Sequence, residues 1–166
     1  MKTHDLIHSN KEEIISSICA DKFEPYFSYA CSDKPDAWRA AWYINKASET
    51  CKLPLSRKVE IIVSSISGKP SNHQRELLKM LEQTEHSEEV EGLVFDSAVS
   101  CWEDLKAQSS CRMIAFRLMI RIGKNYPELI NEIESLLDNR FLKGLSPGIK
   151  KSIIKRWSQI LNDQQE

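Results

Sequence analysis

The chain has 166 residues, 41% of them hydrophobic and 28% charged, with only 5 glycines and 6 prolines and a formal net charge of -1. That apolar content excludes a disordered chain, and the scarcity of glycine and proline speaks against a turn-rich β-sandwich. The near-neutral balance excludes a globally basic nucleic-acid binder, and no run approaches the ~20 consecutive apolar residues of a membrane span.

Apolar spacing is helical nearly throughout, and about nine helices are predicted. Ser9 and Glu12 fit a capping box ahead of Ile14, Ile15 and Ile18, giving a first helix over 10–20. A second covers 23–31, with Pro25 in its first turn. A third starts near Pro35, with Asp33 as cap, and carries Trp38, Ala41, Trp42 and Ile44. A fourth runs from Ser56, burying Val59, Ile62, Val63 and Ile66, until Gly68 and Pro70 end it. The fifth follows Ser71 and turns Leu77, Leu78 and Leu81 inward, and the sixth, from Ser87, carries Val94, Ala98 and Cys101. Ser109 opens the most apolar helix, with Met113, Phe116, Met119 and Ile122. Leu129, Ile130, Ile133 and Leu136 define the eighth, and Ile149, Ile153, Trp157 and Ile160 the ninth.

Helix starts of similar dress fall at Pro35, Ser71, Ser109 and Ser146, at spacings of 36, 38 and 37 residues. A two-helix repeat of this period is the mark of an α-solenoid, in which each pair buries its apolar face on its neighbours. The expected pairs are 10–31, 35–67, 71–104 and 109–139, with a capping helix at 146–161, in one domain over 1–166.

A basic residue beside apolar ones recurs in Trp38-Arg39-Ala40-Ala41-Trp42 and Arg112-Met113-Ile114-Ala115-Phe116, and resembles HEAT and armadillo-like repeats. Asp36 to Trp42, and the stretch from Gly92 through Lys124-Asn125-Tyr126-Pro127 to Trp157, resemble a family of short bacterial HEAT-like proteins. The resemblance covers about residues 30 to 160. It implies an all-α solenoid of stacked antiparallel helix pairs and is nearly silent on activity. Members of that family are often named adenylosuccinate lyase, but the serine-bearing Ser-Ser-x-Met-Pro-x-Lys-x-Asn-type loop of that enzyme class is missing from this sequence.

The opening residues Met1 to His8 lack the apolar core of a secretory signal. The five cysteines, Cys19, Cys31, Cys51, Cys101 and Cys111, are odd in number and form no C-x-x-C pair. They read as small buried hydrophobes in a reducing cytoplasm, the expected location. His4 and His8 have a metal-compatible i, i+4 spacing but no third ligand nearby, and read as exposed polar residues. His73 and His86 read as solvated loop residues. The carboxylates Glu82, Glu85, Glu88, Glu89 and Glu91 read as a solvated face suited to a helix N-terminus. No phosphate loop, nucleophile elbow or His-Glu-x-x-His occurs, so no catalytic residue, cofactor or metal is expected.

Charge is segregated: residues 1–70 carry a net +1, 71–109 a net -6 and 110–166 a net +4. Arg117, Arg121 and Lys124 share a face of the seventh helix, and Lys151 and Lys155, with Lys150 and Arg156, decorate the ninth. Tryptophans mainly fill seams between repeats. Exposed edges of Trp38 and Trp102 are the aromatic candidates for partner contact. The expected function is a non-enzymatic protein-interaction module whose partner is a protein with an acidic surface. The first alternative is a DNA-binding or DNA-repair role, by fold analogy with HEAT-like alkylpurine glycosylases, and the second is the nominal adenylosuccinate lyase activity that the resemblance implies.

Overall fold

The computed structural model describes residues 10–163, and among them no strand occurs. The described residues form ten α-helices: α1 Lys11–Ser17, α2 Phe23–Ala30, α3 Ala37–Ser48, α4 Val59–Ser64, α5 Ser71–Glu82, α6 Glu88–Glu103, α7 Ser109–Gly123, α8 Ile130–Ser135, α9 Asn139–Leu142 and α10 Pro147–Asp163. The chain divides into two compact units, residues 1–90 and 91–166. The division falls inside the third expected pair, 71–104.

In the first unit α3 is central, packing on α1, α2 and α5, and α4 packs on α5. Ala37, Ala40, Ala41 and Ala47 are all buried on α3, and their small side chains let neighbouring helices approach closely. The first two expected helices are not separated by a loop. A π-helical turn, Ile18–Lys22, joins α1 to α2 in one continuous helical stretch. The buried residues Ile14, Ile18, Phe23 and Phe27 are spaced by four, five and four. The wider π turn takes up the extra residue, so the stripe stays on one face. Asn10, not Ser9, caps α1: its side chain accepts from the Glu12 N–H at 2.9 Å. Ser9, His4 and His8 lie outside the described residues.

Asp33 does not cap α3. The helix starts four residues later at Ala37, and Asp33 instead accepts from Lys69 Nζ at 2.7 Å. Asp36 occupies the cap position, and its carboxylate accepts from the Tyr29 hydroxyl at 2.6 Å. Gly68 ends the α4 region with φ of 75°, a left-handed turn that a side chain would strain.

The cysteines need a correction. Cys19 and Cys51 form a disulfide, while Cys31, Cys101 and Cys111 are free. The bond joins positions 32 residues apart and ties the π turn to the end of α3. Closing a loop of that size removes denatured-chain entropy worth about 4 kcal/mol. No sequence motif marks the pairing, because the two cysteines meet only once α2 folds back on α3.

In the second unit α7 is the centre and packs on α8 and α10. Phe116 and Met119 are fully buried, as the sequence expects; Leu118 is fully buried as well, and Met113 is half-buried. Gly123 permits the close approach of α8: a Cβ there would stand 2.5 Å from Ile133 Cδ1, itself fully buried. The eighth expected helix is broken into a 3-10 turn, Pro127–Leu129, and α8, and α9 follows as a single turn capped by Asp138. Three residues of α10, Ile153, Trp157 and Ile160, are its buried line.

Candidate functional site

The expected contact residues fall into both units. On α10, Lys151 and Lys155 are exposed on the face away from Ile153, Trp157 and Ile160, and Arg156 is exposed along the flank of that buried line. Among the described residues none of these three cations is held in an ion pair. Ile154, 55% exposed, shares a face with Lys151 one turn earlier. Ile154 and Trp157 form one wall of a cavity of about 460 Å³ whose other wall includes Leu137, Leu142, Glu134 and Asp138. Arg117 and Arg121 on α7 are half-buried and Lys124, just past its end, is exposed. All three are engaged in interactions of their own.

Trp102 corrects the expectation of a contact residue. It is fully buried, its Nε1 donates to the Leu136 carbonyl at 2.8 Å, and its ring lies 5.3 Å from that of Phe116. No edge of it reaches the surface. Trp38, in the first unit, is half-buried with the Arg39 guanidinium 5.5 Å from its ring, and lines a cavity of about 270 Å³ with Pro35, Lys69, Pro70 and His73.

His73 is the second correction. It lies in the first turn of α5, not in a loop, and is 4% exposed. Its Nε2–H donates to the Ala30 carbonyl at 2.7 Å, since a carbonyl only accepts. Burial pushes its pKa down, the Ala30 bond opposing. His86 is half-buried, its Nε2 likewise 2.8 Å from the Leu81 carbonyl.

Two buried polar centres escape sequence reasoning. Glu76 on α5 is fully buried, yet it meets Arg75 at 3.0 Å and Lys79 at 3.2 Å. Asn45 Nδ2 on α3 donates to both its carboxylate and its carbonyl. In the second unit Arg112 is 3% exposed. Its Nε donates to the Trp102 carbonyl at 2.8 Å and its Nη2 to the Phe141 carbonyl at 2.6 Å, with the guanidinium 4.6 Å over the Trp102 ring. Desolvation pulls its pKa down, and Asp104 opposes that. Arg112 is one of the basic residues that recur beside apolar ones, so its signal was present in the repeat pattern. Glu76 carries no such signal.

Period, paired helices and a buried arginine donating to carbonyls of neighbouring helices all point one way, and the profile of the HEAT repeat domain family matches residues 4–160. The chain belongs to the HEAT repeat family. Comparison with curated proteins returns no match, and comparison with solved structures returns none. The HEAT identity fixes an all-α, α-solenoid fold class. Among the described residues no helix is long and apolar enough to cross a membrane, and no three histidine, cysteine or acidic residues are grouped to hold a metal.

Proposed function

We propose that this HEAT repeat chain is a non-enzymatic interaction module, one domain in function over 1–166, which binds an acidic protein surface through the outer face of α10. The observation that carries the reading is the exposed trio Lys151, Lys155 and Arg156, which no ion pair engages among the described residues. Lys151 and Lys155 are like charges at i, i+4, an arrangement that costs the helix a few tenths of a kcal/mol. A partner carboxylate lying between them would offset that cost and gain charge-assisted hydrogen bonds. Ile154 and the cavity beside it supply adjoining apolar area. Stacked helical repeats commonly serve such contacts.

The test is the double reversal Lys151→Glu with Lys155→Glu in an affinity pull-down from native extract. Loss of the retained partner with an unchanged melting temperature is the expected result. An unchanged partner list moves the contact elsewhere, to Trp38 or to Arg117, Arg121 and Lys124. The net +4 of residues 110–166 favours a second reading, a nucleic-acid backbone. Filter binding against salt separates the two, since a backbone binder loses affinity steeply as salt rises.

A further inference from the structure

We propose that the second unit holds a binding pocket for a phosphate-class oxyanion between the start of α7 and the α9 turn, a site separate from the face of α10 argued above. The pocket encloses about 190 Å³ and is lined by Ser109, Arg112, Arg140 and Lys143, with Leu105 and Ala107 as apolar rim. At a liquid-water volume of about 30 Å³ each, that is room for roughly six waters, or for a tetrahedral oxyanion with part of its hydration shell. It is too small for a nucleotide. Three of the lining side chains are cations and none is a carboxylate.

The cations have different supports. Arg112 is nearly fully buried, and its two hydrogen bonds go to carbonyls through Nε and Nη2, leaving Nη1 over. Arg140 is exposed, its guanidinium 4.4 Å from the Phe141 ring, and Lys143 is exposed where α9 ends. No ion pair engages any of the three among the described residues. The acid that acts on Arg112 among the described residues is Asp104, whose Oδ1 already accepts from the Lys106 N–H at 2.9 Å. A buried cation without a carboxylate is uncommon, because desolvation of charge is costly unless it is compensated.

Ser109 adds a hydroxyl and marks the first turn of a 15-residue helix, whose dipole favours negative charge there. The remaining Nη1 of Arg112 offers an oxyanion a charged donor from the pocket floor, and the Lys143 ammonium and the Arg140 guanidinium supply further charge-assisted bonds. The tetrahedral phosphate oxygens match donors converging from several directions better than a planar carboxylate does.

The experiment is a titration of the 15N-labelled protein with inorganic phosphate, following the Ser109 backbone amide and the Arg112 Nε–H. A second arm uses glycerol phosphate, so that a free ion and an esterified phosphoryl group are told apart. Saturating shifts at both positions are expected. Arg140→Ala with Lys143→Ala removes two exposed cations without touching the carbonyl bonds of Arg112, and should weaken binding by roughly tenfold or more. Lys151→Ala with Lys155→Ala should leave it unchanged, and binding lost in that variant would overturn the proposal. Shifts that grow linearly without saturation, or an affinity unchanged in Arg140→Ala with Lys143→Ala, would also overturn it.

Discussion

The two units place a charge in their interiors and neutralise it in opposite ways. In the first, the buried Glu76 is met by ionic partners, Arg75 and Lys79, whose side chains are 27% and 33% exposed, together with the Asn45 amide. In the second, the buried Arg112 meets peptide dipoles and an aromatic face instead of a carboxylate. Counter-ions at the protein edge are screened by salt and can be lost one at a time. Carbonyls at helix ends are fixed by the fold, so they hold the cation rigidly and cancel only part of its charge.

The largest effect tests the packing beneath that arginine. Phe116→Ala empties a fully buried site against Trp102 and should cost about 3–5 kcal/mol, read as a large fall in melting temperature. A melt left unchanged would break the account of the second unit. Arg112→Met keeps the bulk but orphans two buried carbonyls, and should cost about 2–4 kcal/mol by denaturant titration. That loss should be the same at low and high salt. Glu76→Gln keeps the shape and an acceptor for Asn45 while removing the charge, so about 1 kcal/mol is expected. Here the difference should shrink as salt rises, because both cations reach solvent. Equal salt responses for the two variants would dissolve the contrast between the units.

The smallest effect is a pH dependence in the first unit. Burial lowers the folded pKa of His73 below its usual 6.5. The unfolded chain therefore binds more protons just below that pH, and stability falls as pH drops from about 6.5 through the folded pKa. A variant His73→Gln should flatten this part of the curve in melts followed downward in pH from about 7. A curve of the same slope in the variant would assign the dependence to another group.

Helix positions were legible because burial imposes a 3.6-residue period, and Phe116, Met119, Ile153 and Trp157 are buried as that period requires. The joints were less legible. Asp33 looks like a cap and is drawn off by Lys69, 36 residues away, while Asp36 gives its carboxylate to Tyr29. Such competition depends on partners that sequence spacing does not place. His73 reads as polar and exposed because its acceptor, the Ala30 carbonyl, lies 43 residues back. The outward cations of α10 were legible from their position opposite an apolar line. The pocket around Arg112 was not, since Arg140 and Lys143 sit in a stretch that reads as loop, and only the α9 turn brings them to the start of α7.

Counted as chain length, the π turn at Ile18–Lys22 is a single-residue insertion held inside a helix. In an uninterrupted α-helix a step of five residues turns about 140° from its starting face, which would carry Phe23 and Phe27 away from the line of Ile14 and Ile18. Removing one residue, such as the exposed Ala20, would restore a step of four and realign the two halves without any π turn. That shorter chain would then hold Pro25 deep within a regular helix, where its ring crowds the carbonyl four residues back. At this joint the number of residues and the identity of residue 25 are coupled: a deletion that preserves the fold calls for the replacement of the proline as well.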